Sequence, residues 1–244
     1  MRFQVIGSGS KGNCYLFTDS EGKTLILEAG VKFSNAMEAI DYDVANVQGV
    51  LITHSHSDHC KYVVQARKFG LKIFALKETI TTIKDYDFFY NPVVPRKEFI
   101  IGPYKIMPFE LQHNVPIVGY LINHAEMGDT LFVTDTTYVP YTFPNLNNII
   151  IEANFSQEIL DSKLKDEMKF LRNRILEDHM SFETTMLTLG KNDLSAVNNI
   201  VLCHLSSTNS DAQSYIKTVI ENTGKRVSIA KTGLIIDPFD KRPF

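Results

Sequence analysis

The stretch that decides the reading of this chain is Gly49-Val50-Leu51-Ile52-Thr53-His54-Ser55-His56-Ser57-Asp58-His59-Cys60. Val50-Leu51-Ile52 is a short apolar run of the kind a buried strand makes. It stops abruptly at three histidines and an aspartate within six residues. Side chains alternate along extended backbone, so His54 and His56 point the same way. Asp58 and His59 follow at the start of a helix, where they can face a second ion beside the first. Neutral imidazoles and a carboxylate packed this closely suit a borderline-soft divalent cation. A polar loop falling into this pattern by chance is the weaker reading, because the whole chain holds only seven histidines.

Strand, Thr-His-x-His-x-Asp-His, then helix resembles the signature of the metallo-β-lactamase-fold hydrolases. The 244 residues are 44% hydrophobic and 22% charged. That is ordinary globular composition and enough for one sizeable core. No apolar run approaches the roughly 20 residues a membrane helix needs. Met1-Arg2-Phe3-Gln4-Val5-Ile6 runs directly into strand-like sequence without a signal peptide, so a cytoplasmic protein is expected. Cys14, Cys60 and Cys203 form no CxxC pair, and an odd count argues against a disulfide framework. Cys60 and Cys203 each adjoin a candidate ligand histidine and are read as small packing residues rather than ligands. A net charge of −3 lacks the broad basic footprint of proteins that hold nucleic acid by charge alone. It leaves room for a substrate phosphate drawn in by bound cations.

Strands and helices alternate in two halves. Residues 2–6 are a strand, then Gly7-Ser8-Gly9-Ser10-Lys11-Gly12-Asn13 makes a turn-rich loop. This loop is either a hairpin connection or a lip near a bound phosphate. It is not a Walker loop, which would need Gly-Lys-Ser/Thr. Further strands are expected at 14–17, 25–27, 72–76, 98–101, 104–111, 117–123, 130–134, 148–152 and 199–203, with two short ones near Val227 and Leu234. Helices are expected at 33–40, at 61–69 stopped by Gly70, at 77–84, at 181–189 capped by Ser181, and at 211–221. Tyr90 to Arg96, with Pro92 and Pro95, reads as a loop. The longest helix is expected over 157–176 on an apolar stripe of Leu160, Leu164, Met168, Leu171 and Ile175. Its early acids and late bases suit the helix dipole, and Lys169, Arg172 and Arg174 read as a solvated face. No linker divides the chain, so residues 1–244 are expected to form one α/β domain. The αββα sandwich is what the resemblance implies.

The resemblance also implies a ligand set. It places His54, His56 and His113 on one metal, Asp58, His59 and His204 on the second, and Asp135 between them. His113, Asp135 and His204 each end a predicted strand, which is how separate strands bring a site to one edge. His124 competes with His113 but lies in a predicted hairpin turn. Two divalent ions are the expected cofactors, with zinc the first choice and manganese equally suited to nitrogen and oxygen donors.

Asp178-His179-Met180-Ser181 resembles the Gly-His-x-Ser stretch of the nuclease branch, which includes the RNase Z enzymes. Asp178 there departs from the usual glycine. The resemblance makes His179 the proton donor to the leaving oxygen, and Asp58 and His179 the catalytic pair. Glu152 matches the glutamate of the same branch and either orients a site histidine or is an exposed strand-end acid. Over nearly the whole chain the pattern resembles the YycJ (WalJ) group. The shared residues are Gly-Ser-x-Ser-x-Gly-Asn, the histidine motif, His113 with Pro116, Gly119 and Tyr120, Thr134-Asp135-Thr136, Glu152-x-Asn154, His179-x-Ser181 and His204-Leu205-Ser206. Glu28 departs from that group's Asp-x-Gly. Only 22 residues separate His113 from Asp135, too few for the tRNA-gripping arm of RNase Z enzymes. Only 69 separate Asp135 from His204, too few for the inserted domain of the mRNA-processing and DNA-repair relatives.

The resemblance thus implies a binuclear phosphodiester hydrolase, a 5′-to-3′ exonuclease on DNA that uses a metal-bridging hydroxide. Its partner would be a nucleic acid or nucleotide phosphodiester, with no membrane, and the active unit either one chain or a homodimer. A cyclic-nucleotide phosphodiesterase is the enzymatic alternative, and a metal-stabilised binding module the non-enzymatic one.

Overall fold

The computed structural model describes residues 1–83, 87–163 and 169–242. Strands β1 (Arg2–Gly7), β2 (Cys14–Thr18), β3 (Thr24–Leu27), β4 (Val47–Leu51), β5 (Ile73–Leu76) and β6 (Tyr90–Val93) run in sequence across the first sheet. The second sheet begins with β7 (Phe99–Ile101), β8 (Tyr104–Glu110), β9 (Val118–His124) and β10 (Gly128–Val133). It continues through β11 (Leu146–Glu152), β12 (Asn199–Cys203) and β13 (Arg226–Ile229). Strand β14 (Ile235–Ile236) returns to pair with β1. Among the described residues each sheet therefore has seven strands.

The inner faces of the two sheets meet in one core, with Phe3, Phe17, Leu27, Tyr104, Ile106, Tyr120, Phe132, Ile150 and Val201 buried between them. Each such side chain removed from water contributes about 1.5–3 kcal/mol, the main force holding the layers together. Helices α1 (Phe33–Glu38), α2 (Ser57–Cys60), α3 (Val63–Lys68) and α4 (Lys77–Thr81) belong to the first half. Val63, Ala66, Phe33 and Met37 pack with the outward side chains Leu16, Ile26, Val50 and Ile73 of the first sheet. Helices α5 (Gln157–Lys163), α6 (Lys169–Asp178), α7 (Phe182–Lys191) and α8 (Ala212–Thr223) belong to the second. There Phe182, Leu189, Tyr215 and Val219 pack with Ile149, Ile151, Ile200 and Leu202. Helix, sheet, sheet, helix is the αββα order. No helix among the described residues is long and apolar enough to cross a membrane.

Two expectations need correction. Residues 90–93 form an edge strand rather than a loop. Pro92 is tolerated because an outermost strand has one row of backbone groups with no ladder partner. The apolar stripe over 157–176 is not a core stripe throughout. Leu160 is buried, but Leu171 is 46% exposed and Ile175 is only half-buried. Leu164 and Met168, like Lys84 of the 77–84 helix, lie outside the described residues. Arg172 is not simply solvated: its guanidinium pairs with Asp161 at 2.6 Å. Ser181 caps α7 as expected, its Oγ accepting from the Thr184 N–H.

What positions the site is strand direction. β3, β4, β5 and β6 are parallel, as are β10, β11, β12 and β13. In open α/β sheets the crevice beyond the carboxyl ends of parallel strands is where ligands bind. Here β4 from one sheet and β10, β11 and β12 from the other end together. Val133 is in register with Ile151, and Ile151 with Leu202, so Asp135, Glu152 and His204 emerge at nearly one level.

Candidate metal centre

β4 ends in Ile52-Thr53, and the backbone turns through His54, Ser55 and His56 into α2. Thr53 Oγ1 lies 2.9 Å from His54 Nδ1 and fixes that ring. His54 is fully buried, and its Nε2 has no hydrogen-bond partner. The His56, His59 and His113 rings surround it with centroids 4.7, 4.2 and 5.0 Å away. His113 Nε2 stands 3.2 Å from His56 Nδ1. A ligand atom from each of His54, His56 and His113 falls within one 4.8 Å cluster.

The second half of the site is built from carboxylates as well. His59 Nε2 lies 2.6 Å from Asp135 Oδ2 and 3.4 Å from Asp58 Oδ2. His204 Nε2 is 3.3 Å from Asp58 Oδ2, while its Nδ1 is 3.2 Å from both Asp135 Oδ1 and Glu152 Oε1. Asp135 thus faces His59 through one oxygen and His204 through the other. His179 joins from the α6–α7 junction, its Nδ1 2.8 Å from Glu152 Oε1 and 3.1 Å from Asp135 Oδ1. All eight residues singled out by sequence, the seven candidate ligands and His179, therefore converge. His124 does not; it is buried elsewhere against Asp19 and the Tyr104 ring.

Three strand-end residues hold left-handed backbone without being glycine: Glu28 after β3 (φ 68°), Asp135 after β10 (φ 50°) and His204 after β12 (φ 54°). Such positions cost on the order of 1–3 kcal/mol each and persist only where surroundings over-determine them. Here the turn aims each side chain back over the strand ends. Asn154 stabilises the last of these turns, its Nδ2 donating to the His204 carbonyl at 2.8 Å.

Sequence reasoning left three supporting residues undecided or unseen. Glu152 is no exposed acid: it is fully buried, and Oε2 accepts from the Thr136 and Met180 N–H groups at 3.1 Å each. Glu28 Oε1 lies 3.5 Å from His59 Nδ1, so the longer side chain reaches the back of that ring. Asp178 is buried with Oδ1 4.0 Å from His113 Nδ1, so its side chain faces the centre at a distance too long for a hydrogen bond. Only its position beside His179 could have signalled this. Cys60 donates its thiol to the Ser55 carbonyl, and burial pushes its pKa up to about 11. Cys203 is buried with its thiol on the Val133 carbonyl.

Protonation divides the centre. Burial holds His54, His56 and His113 below the usual imidazole range, so all three stay neutral. Burial would lower His59, His204 and His179 too, but Asp135 with Glu28 and Asp58 outweighs it at His59, and Asp135 with Glu152 at His204 and His179. His204 is pushed up to about 9 and His179 to about 10. Burial would raise Asp58 and Asp135, yet the neighbouring histidines hold both carboxyls well below their ordinary value. Divalent cations fit this donor set: three neutral imidazoles, two of them (His54 and His113) with an unpartnered buried nitrogen, beside ionised carboxylates.

Comparison with known proteins bears on the fold and the relatives of the chain. The chain is 28% identical over 246 residues to the exodeoxyribonuclease YycJ of Bacillus anthracis, covering 92% of this chain and 90% of that protein. It is homologous to that group. The metallo-β-lactamase fold protein YhfI of Bacillus subtilis superimposes with a TM-score of 0.74 at 19% identity, covering 96% and 98% of the two chains. Zinc-bound PqqB of Methylobacterium extorquens does so at 0.69 and 13%, covering 97% and 100%. The fold is that of the metallo-β-lactamases. A family model described as Anti-Pycsar protein Apyc1 matches residues 1–79, the segment that carries the His54–His59 motif.

Proposed function

We propose that this chain is a cytoplasmic, metal-dependent phosphodiester hydrolase that removes nucleotides from DNA in the 5′-to-3′ direction. His54, His56 and His113 would hold one divalent ion, Asp58, His59 and His204 a second, and Asp135 would serve both; zinc is the first choice and manganese suits the same donors. Such a pair supplies Lewis acidity toward a phosphate and a water of lowered pKa at neutral pH.

The protein's own groups do the rest. Asp58 is the most open of the carboxylates in the cluster, its side chain 22% exposed against 3% for Asp135. It is placed to accept a proton from an attacking water. Glu152 grips His179 by Nδ1 at 2.8 Å, which leaves Nε2 to face a substrate. With its pKa raised to about 10, His179 is protonated at neutral pH and delivers the Nε2 proton to the departing ester oxygen. His204, held by Asn154 and Glu152, keeps its ring in place without moving protons.

The observation that carries this reading is the His179–Glu152 contact beside a seven-residue donor cluster. It adds a proton donor that simple metal storage or binding would not require. The homology to a protein named an exodeoxyribonuclease supports DNA as substrate. The test is a parallel assay of zinc- and manganese-loaded protein on 5′-phosphorylated duplex DNA, single-stranded DNA, RNA and cyclic mononucleotides. Shortening of DNA from the 5′ end is expected. Hydrolysis of cyclic mononucleotides alone would keep the centre and replace the substrate, and binding without turnover would overturn the enzyme.

A further inference from the structure

We infer that a lysine track beside the metal centre carries the polynucleotide strand on its way to the site. Resting on the nuclease reading above, it assigns a binding surface which that reading does not require. The loop 7–13 singled out in the sequence is where the track begins. Its tip is a tight turn closed by Gly12 N–H on the Gly9 carbonyl at 2.9 Å, and it presents Ser10 and Lys11 to solvent. Gly9 (φ 109°) and Gly12 (φ 135°) use backbone that other residues rarely adopt. The loop is fastened to both flanks of the centre. Ser8 Oγ accepts from the His204 N–H at 3.0 Å, and Asn13 reaches His59 Nε2 at 3.0 Å. Lys11 is therefore held at the rim rather than on a free loop.

From Lys11 the track passes to Lys32. Val31 packs against Gly7 and Gly12, and a Cβ on Gly30 would strike the Asp58 carbonyl. The Phe33 N–H donates to Gln65 Oε1 at 3.2 Å, which joins this segment to α3. Beyond it opens a groove of about 370 Å³ lined by Lys32, Ser34, Tyr62, Gln65, Lys68 and Phe69. No carboxylate lines it. Lys61, two residues after His59, lays its ammonium 5.4 Å from the Tyr62 ring at the same edge.

Charge bookkeeping sets this strip apart from the rest of a chain whose net charge is −3. Segments 8–13, 29–36 and 57–70 contain a single carboxylate, Asp58, which belongs to the centre. Several bases elsewhere are matched: Lys23 with Glu21, Lys105 with Glu98, Arg96 with Glu110, Arg172 with Asp161. At the strip's far end Arg67 is matched with Asp87. Among the described residues, Lys11, Lys32, Lys61 and Lys68 form no ion pair, and all four are exposed. Unpaired cations alternating with aromatic faces are how proteins hold a single strand without reading its sequence.

The test measures binding of a fluorescent, hydrolysis-resistant phosphorothioate single-stranded DNA 15-mer to zinc-loaded protein across a salt series. Wild type is compared with K32Q/K68Q, K11Q and the distant control K191Q/K241Q, with thermal unfolding as the check on folding. K32Q/K68Q is expected to weaken binding about five- to tenfold and to flatten the slope of log affinity against log salt by roughly 1.4, the signature of two lost phosphate contacts. K11Q is expected to give about half that slope change, and it stands in should the double variant fold poorly. The control is expected to match wild type. Unchanged affinity and slope in K32Q/K68Q and K11Q, while wild type still degrades DNA, would overturn the track and leave the nuclease intact. Failure of wild type to degrade any DNA would overturn the nuclease reading itself.

Discussion

The two halves of the centre hold their histidines by opposite means. His54, His56 and His113 face chiefly one another, and burial outweighs the nearby carboxylates and keeps them neutral. His59, His179 and His204 face Asp58, Asp135 and Glu152, and those acids favour their protonated forms, so that a cation held by His59 and His204 would have to replace their protons. The first half is a ready set of nitrogen donors. The second is a set of ion pairs in which a metal must compete with protons. The difference shows that one family of side chain can be tuned in two directions within a few ångströms, by desolvation on one side and charge on the other.

Asp135 is the seam between the halves, so its removal should do the most damage. Asp135→Ala is expected to cut hydrolysis about a thousandfold. It should also bring His59 and His204 back toward ordinary imidazole values, readable by NMR titration of metal-free protein. Activity within tenfold of wild type would break the claim that one carboxylate serves both halves.

Metal removal sharpens the comparison further. Chelation is expected to lower stability by about 4 kcal/mol for each ion lost, at ion concentrations a thousandfold above Kd. For a chain of this size that is a fall in Tm of about 8–16 °C. Acidifying the loaded protein should release the ions in order. The ion at Asp58, His59 and His204 should leave first, since protons bind those imidazoles more tightly. Metal content measured after dialysis at stepped pH should pass from two through one to none; simultaneous loss would count against the distinction.

Glu152→Gln keeps the shape and removes the charge that holds His179 and His204. A loss of about 10–100-fold in activity is expected. In metal-free protein the effect on stability has a definite sign. His179 has a folded pKa raised to about 10, so its contribution is full below the unfolded value of 6.5 and disappears as pH rises through 10. Wild type should therefore exceed the variant at pH 6 and converge with it near pH 10 in urea unfolding.

Smaller effects are expected behind the rings. Glu28→Asp withdraws the carboxylate from His59 Nδ1 and should change activity by about threefold or less, because Asp58 and Asp135 still hold the opposite nitrogen. Cys60→Ser should leave both metal content and rate unchanged, since the thiol is occupied with the Ser55 carbonyl. Loss of an ion in that variant would make Cys60 a ligand and redraw the second half.

Much of this was legible in the residues themselves. Period-two and period-3.6 patterns located most strands and helices, and the dense His54–His59 motif announced a metal site because such spacing has few other uses. His113, Asp135 and His204 were legible only as strand ends that resemble a known pattern. Tertiary structure decided what depends on register and direction. Parallel pairing brings Asp135, Glu152 and His204 to one level, and left-handed turns at Glu28, Asp135 and His204 aim side chains that local propensity would point elsewhere. It also decided that Pro92 sits in an edge strand, that Asp178 comes within 4.0 Å of His113, and that Lys32 and Lys68 line one groove. Local sequence determines which chemistry is present, because side-chain type is written there. Long-range packing determines where that chemistry meets, because contacts between distant segments exist only once the two sheets have closed on each other.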